Sequence, residues 1–133
     1  MHKTLILSLL VLGVVFGLAQ AAGVECVSIV FCSRVEDREP VEPATQFSAT
    51  DEWVYCHTVI NNPGGPTEIH HDWYYQGSLI TRNTLSIGTS QNWRTYSAKQ
   101  ISPAWVGKWE VVVKNASGAE IGRAGFEIKP VQE

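Results

Sequence analysis

The sequence has little of what membrane spans, metal centres and nucleic-acid interfaces require. Beyond one apolar run at its start it holds no hydrophobic stretch near the roughly 20 residues of a transmembrane helix. Its single methionine is Met1, and it has neither a Cys-x-x-Cys nor a His-x-x-x-His pair. Copper and zinc sites therefore lack their usual ligand patterns. With 10 basic against 13 acidic residues, no basic face for phosphate backbones is expected. We expect no metal, no cofactor and no nucleic-acid partner.

Sequence signatures of catalysis are also missing. The chain contains no Gly-x-Ser-x-Gly elbow, no Gly-rich phosphate loop and no evident pair of carboxylates for acid–base chemistry. We therefore expect that the protein is not an enzyme.

The one apolar run has the layout of a secretory signal peptide. A short basic start (1–3) precedes an almost uninterrupted apolar run (5–18), and Ala-Gln-Ala (19–21) supplies small residues for cleavage. Cleavage after residue 21 would leave 133 − 21 = 112 residues as one domain, 22–133. Without Lys3 that domain has 9 basic and 13 acidic residues, a net charge near −4. We expect a periplasmic or secreted bacterial protein with no stable membrane span after cleavage.

The rest of the chain is typical of an all-β protein. Short runs rich in Val, Ile, Thr, Tyr and Trp alternate with Gly, Pro and Asn. This pattern predicts an immunoglobulin-like antiparallel β-sandwich of about seven strands, with a small barrel as the alternative. The predicted strands are 24–33, 53–60, 68–76, 83–88, 92–98, 107–114 and 119–129.

Alternation within these strands indicates which side chains face the core. In the sixth predicted strand Trp109, Val111 and Val113 alternate with charged neighbours, so Trp109 is expected to be buried. The last strand alternates in the same way, with Phe126 on its apolar face.

The second and third predicted strands are expected to pair as a hairpin around the Pro- and Gly-rich turn 61–66. Two registers are possible, and a shift of one residue exchanges the two faces. We favour the register that places Cys56 across from Trp73 and Thr58 across from His71, because it gives a continuous apolar core. Further upstream, the acidic stretch 36–40 is predicted to be a solvated loop in which proline prevents a strand.

Three cysteines follow the apolar run, which in an oxidising compartment allows one disulfide. Cys26 and Cys32 lie on one predicted strand, about 20 Å apart at the usual rise, so they cannot bond to each other. Cys56 must therefore belong to any pair, and we favour Cys32–Cys56. The alternatives are a Cys26–Cys56 bond, or three buried thiols that act as small hydrophobic residues.

Four short motifs occur in a fixed order along the chain, at 31–40, at 55–58, at 69–77, and at 93–99 followed by 107–109. Together they resemble the bacterial family called domain of unknown function 2914, although an aromatic residue usually stands in that family at the place of His57. The resemblance covers roughly 30–129 and implies an exported or envelope-associated β domain with no established activity. The family pattern includes Cys32 and Cys56, which supports their pairing, but not Cys26.

Several polar and aromatic side chains are candidates for binding. Arg94 and Tyr96 share one parity of a strand and could bind a carboxylate or the edge of a sugar ring. Trp53 and Trp105 stand at the edges of elements, where exposed rings could stack on sugars. The competing interpretation is that Arg94 pairs with an acidic residue and that the aromatics fill the core. The tentative binding residues are Trp53, His71, Trp93, Arg94, Tyr96, Lys99 and Trp105.

The histidines do not form an obvious metal site, because the adjacent His70 and His71 point to opposite faces of a strand. A structural or surface role is favoured for them. Taken together, the sequence predicts an exported, non-catalytic binding or assembly module of the bacterial cell envelope. Its partner would be an unknown envelope protein or glycan. The alternative is a carbohydrate-binding accessory domain that uses exposed aromatics.

Overall fold

The structure is a computed structural model that describes residues 23–131, and these form two β-sheets packed face to face. The predicted signal peptide, 1–21, lies outside the described residues. A short 3-10 turn occupies Pro103–Trp105. The strands are β1 (Glu25–Glu36), β2 (Glu39–Pro43), β3 (Gln46–Ser48), β4 (Trp53–Asn62), β5 (Thr67–Tyr75), β6 (Ser78–Ile87), β7 (Ser90–Gln100), β8 (Gly107–Asn115) and β9 (Glu120–Lys129).

The strand order confirms the predicted all-β sandwich of immunoglobulin-like type. One sheet has the order β2-β1-β4-β7, and the other has the order β3-β9-β8-β5-β6. The chain crosses between the sheets five times, from β2 to β3, from β3 to β4, from β4 to β5, from β6 to β7 and from β7 to β8. The pairs β1–β2, β5–β6 and β8–β9 are hairpins, and this combination of hairpins and crossings is typical of immunoglobulin-like domains. All strand pairs are antiparallel except β3 with β9, which run parallel. Within 23–131 no helix is long and apolar enough to cross a membrane.

Burial confirms the faces predicted from alternation. Trp73 is 0% exposed and Trp109 is 2% exposed. Phe126 of β9 packs against both tryptophans, with ring centroids 6.0 Å from each. Val111 and Val113 are also fully buried, so the core lies between β8, β5 and the inner face of β4.

The predicted hairpin between β4 and β5 is wrong, because the two strands belong to different sheets. β4 pairs with β1 and β7, and β5 pairs with β6 and β8. The prediction that Thr58 faces His71 is nevertheless correct, since Thr58 Oγ1 lies 3.1 Å from His71 Nε2 across the core. The strands face each other between the sheets rather than within one.

The predicted loop at 36–40 is also wrong, since β1 and β2 form a hairpin there. Asp37 and Arg38 have φ angles of 51° and 67°, as in the two-residue turns that suit β-hairpins. Pro40 lies within β2. Because β2 is an edge strand, the missing N–H of a proline leaves no ladder partner unpaired.

The favoured Cys32–Cys56 disulfide is wrong as well, and the register explains why. In the β1–β4 pairing Phe31 lies opposite Cys56, and Cys32 lies opposite Tyr55. Opposed residues point to the same face of a sheet, so Cys56 faces the core and Cys32 faces outward. All three cysteines within the described part are free. Burial raises the pKa of each thiol, that of Cys26 to about 11, which makes all three poor nucleophiles.

Candidate functional site

Three of the predicted binding residues lie on the outer face of the four-stranded sheet. Trp53 and Tyr96 are 43% and 47% exposed. Tyr55, which the sequence did not single out, lies between them on β4, with its ring centroid 6.0 Å from that of Tyr96. We call Trp53, Tyr55 and Tyr96 the aromatic face. Arg94 lies on this side of β7 and forms an ion pair with Glu39, as the competing interpretation expected.

The β1–β2 hairpin folds over part of this outer face. Its turn residue Arg38 has its carbonyl oxygen 2.8 Å from His57 Nε2. The Arg94–Glu39 ion pair ties the next residue of the hairpin to β7. His57 and Cys32 are therefore buried although their positions on the strands face outward.

The other predicted residues lie elsewhere and do not form one site. Trp93 is 37% exposed and its ring packs against Gly88 at one end of the sandwich. Lys99 Nζ lies 5.8 Å above the Trp105 ring. Trp105 packs edge to face against Trp109, at 5.3 Å, and its carbonyl accepts the Trp109 indole N–H at 2.8 Å. Trp105 thus closes the end of the core and is not a free platform.

His71 lies at the centre of a buried polar cluster and is 0% exposed. Its Nδ1 lies 2.7 Å from Ser97 Oγ, and its Nε2 lies 3.1 Å from Thr58 Oγ1. The indole of Trp73 also donates to Ser97 Oγ, at 3.2 Å. Burial lowers the pKa of His71 to about 4, so the ring is neutral at ordinary pH. Such a cluster stabilises the core, and its His–Ser pair is sealed from any substrate.

A concave surface lies on the outer face of the five-stranded sheet. It is a groove of about 840 Å³, within the size range of small-ligand sites. Its floor and walls come from β8 and β9, from Tyr74 of β5, from the Gln76–Gly77 turn and from Thr45 and Gln46. Gly125 on the floor has no side chain to fill the space, and a Cβ there would lie 3.2 Å from the Trp109 carbonyl. We call this surface the β8–β9 groove.

Arg123 is the centre of a small network of ion pairs in the groove. Arg123 donates to both carboxylate oxygens of Glu120, at 2.6 and 2.7 Å, and to Glu110 at 3.1 Å. These carboxylates raise the pKa of Arg123, chiefly through the hydrogen bonds to Glu120. The same hydrogen bonds lower the pKa of Glu120. The guanidinium and the Glu120 carboxylate are therefore charged and oriented by each other before any ligand arrives.

A buried carboxylate supports one wall of the groove. Asp72 is 0% exposed, and it accepts two hydrogen bonds from Arg82, at 2.7 and 2.8 Å. Lys114, which lines the groove, lies 3.0 Å from the same carboxylate. Arg82, then Lys114, lower the pKa of Asp72 and offset the cost of its burial. Asp72 thereby fixes Lys114 at the groove wall.

Sequence reasoning did not single out the groove residues. The signal was present, because Lys108 and Glu110 of β8, and Arg123 and Glu127 of β9, are the charged partners in the alternation used to find the core. Alternation alone assigns these side chains to the side of each strand that faces away from the core, and only the pairing of β8 with β9 brings them together. Within residues 23–131 no three His, Cys, Asp or Glu side chains converge as a metal set.

Part of the chain matches the model of a known family. Residues 66–128 match the model of a family described as a protein of unknown function (DUF2914). This stretch includes the third and fourth motifs of the predicted resemblance, and β5 to β8, so the match bears out the predicted resemblance over this part of the chain. A search of curated proteins gives no match.

Proposed function

We propose that this chain, a member of the DUF2914 family, is an exported, non-catalytic binding or assembly module of the bacterial cell envelope. The observation that carries the proposal is the β8–β9 groove, a concave polar surface in which Arg123 is oriented by ion pairs with Glu110 and Glu120. Pre-orientation favours binding, because little side-chain entropy remains to be lost when a ligand arrives.

The chemistry of the buried residues supports a role without catalysis. The His71–Ser97 pair has the residue types of a nucleophile and its base, but both side chains are buried in the core. The three cysteine thiols have raised pKa values and so little thiolate at neutral pH. In the groove itself, Arg123 is already paired with Glu110 and Glu120.

Envelope location is supported by the layout of the first 21 residues, with their basic start, apolar run and Ala-Gln-Ala site. The resemblance to an exported bacterial family points in the same direction. A module of this kind would act outside the cytoplasm, where its partner would be an envelope protein or a glycan.

A sedimentation assay tests the groove as the binding surface. The purified protein should co-sediment with an envelope fraction from its host, and Arg123→Met should reduce the bound amount about tenfold, because it removes the central donor of the groove. Arg34→Met is the matched control. Arg34 and Arg123 have side chains 52% and 51% exposed, and each donates to a glutamate at 2.7 Å. Equal binding of wild type and Arg123→Met would contradict the proposal.

The alternative is a carbohydrate-binding accessory domain that uses exposed aromatics, and the aromatic face supports it. Trp53 and Tyr96 are exposed, with Tyr55 between them. If sugars stack on this surface, Trp53→Ala and Tyr96→Ala should each abolish the retardation of the protein in gels that contain a soluble polysaccharide. Trp93→Ala is the control, because Trp93 lies on the opposite side of the sheet at similar exposure. Unchanged retardation of both variants would exclude this surface.

A further inference from the structure

We infer that the β8–β9 groove binds an uncharged, polyhydroxylated chain, that is, a neutral glycan. The inference rests on the proposed function and specifies the ligand class for the same groove. It differs from the carbohydrate alternative above, which uses the opposite sheet and depends on stacking. Here recognition depends on paired charges and their remaining hydrogen-bonding capacity.

The charges of the groove balance. Three cationic and three anionic side chains line it, for a net charge of zero: Lys108, Lys114, Arg123, Glu110, Glu120 and Glu127. A charged ligand that engaged Arg123, Glu110 or Glu120 would have to displace one partner of their ion pairs and leave the other unpaired, which costs free energy. An uncharged ligand can bind while every pair stays intact.

The paired charges still offer hydrogen bonds suited to hydroxyl groups. A guanidinium has five N–H donors, and the contacts of Arg123 within the described residues use three of them. Glu110 accepts from Arg123 through Oε1, and within residues 23–131 its Oε2 has no hydrogen-bond partner. A sugar hydroxyl both donates and accepts. Two neighbouring hydroxyls could therefore bind Arg123 and Glu110 together, and hydrogen bonds to charged groups are the stronger kind.

The groove also offers an apolar surface beside these charges. Tyr74 lies opposite Glu110 in the β5–β8 pairing and opposite Leu79 in the β5–β6 pairing. Leu79 is 49% exposed, and because opposed residues point to the same face of a sheet, it lies on the same outer face as Tyr74, which lines the groove. Sugar rings present both hydroxyl edges and C–H faces, so they match a surface that combines charge pairs with an aromatic ring.

The test uses glycans released from the envelope of the host and separated by anion exchange into neutral and acidic fractions. Fluorescently labelled neutral glycans should bind the purified protein, and binding of the acidic fraction should be at least about tenfold weaker, because charge displaces existing pairs. Arg123→Met and Glu110→Leu should each weaken neutral-glycan binding about tenfold. Arg34→Met and Trp53→Ala should bind as wild type. Thermal melting of each variant ensures that only folded proteins are compared.

Each outcome has a distinct meaning. If the acidic fraction binds as well as the neutral one, or if neither fraction binds, the inference is overturned. Envelope sedimentation that still depends on Arg123 would then leave the proposed function standing with another ligand class. If Trp53→Ala abolishes neutral-glycan binding while Arg123→Met does not, the sugar lies on the aromatic face, and the inference fails in favour of the alternative.

Discussion

Replacing Trp73 by alanine should lower the free energy of unfolding by about 3–5 kcal/mol, the usual cost of removing a large buried aromatic. The indole is 0% exposed and packs edge to face on Phe126. Its N–H also donates to Ser97 Oγ, so truncation removes one hydrogen bond of the buried cluster. Since domains of this size have about 5–15 kcal/mol of stability in total, the loss should be evident in urea denaturation.

Two further variants make this result specific to burial. Trp73→Phe keeps an aromatic ring and should cost less than Trp73→Ala, because a smaller cavity remains. Trp53→Ala changes the same residue type at a position that is 43% exposed, and its effect should lie within about 1 kcal/mol. A loss below about 1 kcal/mol for Trp73→Ala would contradict the core described above.

The alternation of apolar and polar residues predicted correctly which face of each strand is buried, but it did not predict which strands pair with each other. It placed Trp73 and Trp109 in the core, and both are buried. It did not distinguish a hairpin from a crossover between β4 and β5, because the four residues 63–66 are short enough for either connection. The favoured facing of Thr58 with His71 holds in both cases, since residues that face a common core meet within a hairpin or across a sandwich.

Two strands, β2 and β3, were not predicted from the sequence, because they depend on contacts that no local pattern indicates. β3 has three residues and pairs in parallel with β9, about 80 residues later in the chain. β2 contains two prolines and survives because it is an edge strand. The disulfide prediction failed for a related reason. Cys32 and Cys56 do lie on neighbouring strands, but only the register shows that they point to opposite faces.

The candidate site was harder to predict than the fold. Of the seven predicted residues, Trp53, Arg94 and Tyr96 share one face, while His71 is buried. The groove depends on residues that alternation assigns to solvent, and a single strand of exposed charges looks the same whether or not its neighbours form a concave surface. Only the pairing of β5, β8 and β9 turns those charges into a pre-oriented set.

His71 should make the fold unstable in mild acid. Its pKa is about 4 in the folded protein against an ordinary value of 6.5, because burial disfavours the charged ring. Between these values the unfolded chain binds a proton that the folded chain does not, so stability falls as the pH is lowered from 6.5 towards 4. The full shift corresponds to about 3 kcal/mol, of which about 2 kcal/mol should be lost by pH 5.

Urea denaturation at pH 7 and pH 5 measures this loss, and His71→Gln should remove most of it. Glutamine can both donate and accept, so it can keep contacts with Thr58 and Ser97, but it does not titrate. His70→Gln is the matched control, because His70 lies on the outer face beside Thr84, and the pH dependence should persist in that variant. Asp72 does not contribute to the loss of stability between pH 7 and pH 5. Its pKa is lowered below 3.8 by Arg82 and Lys114, so its contribution is lost only in stronger acid. Equal stability of the wild type at the two pH values would show that the His71 ring reaches water, and that the cluster with Ser97 and Thr58 is open.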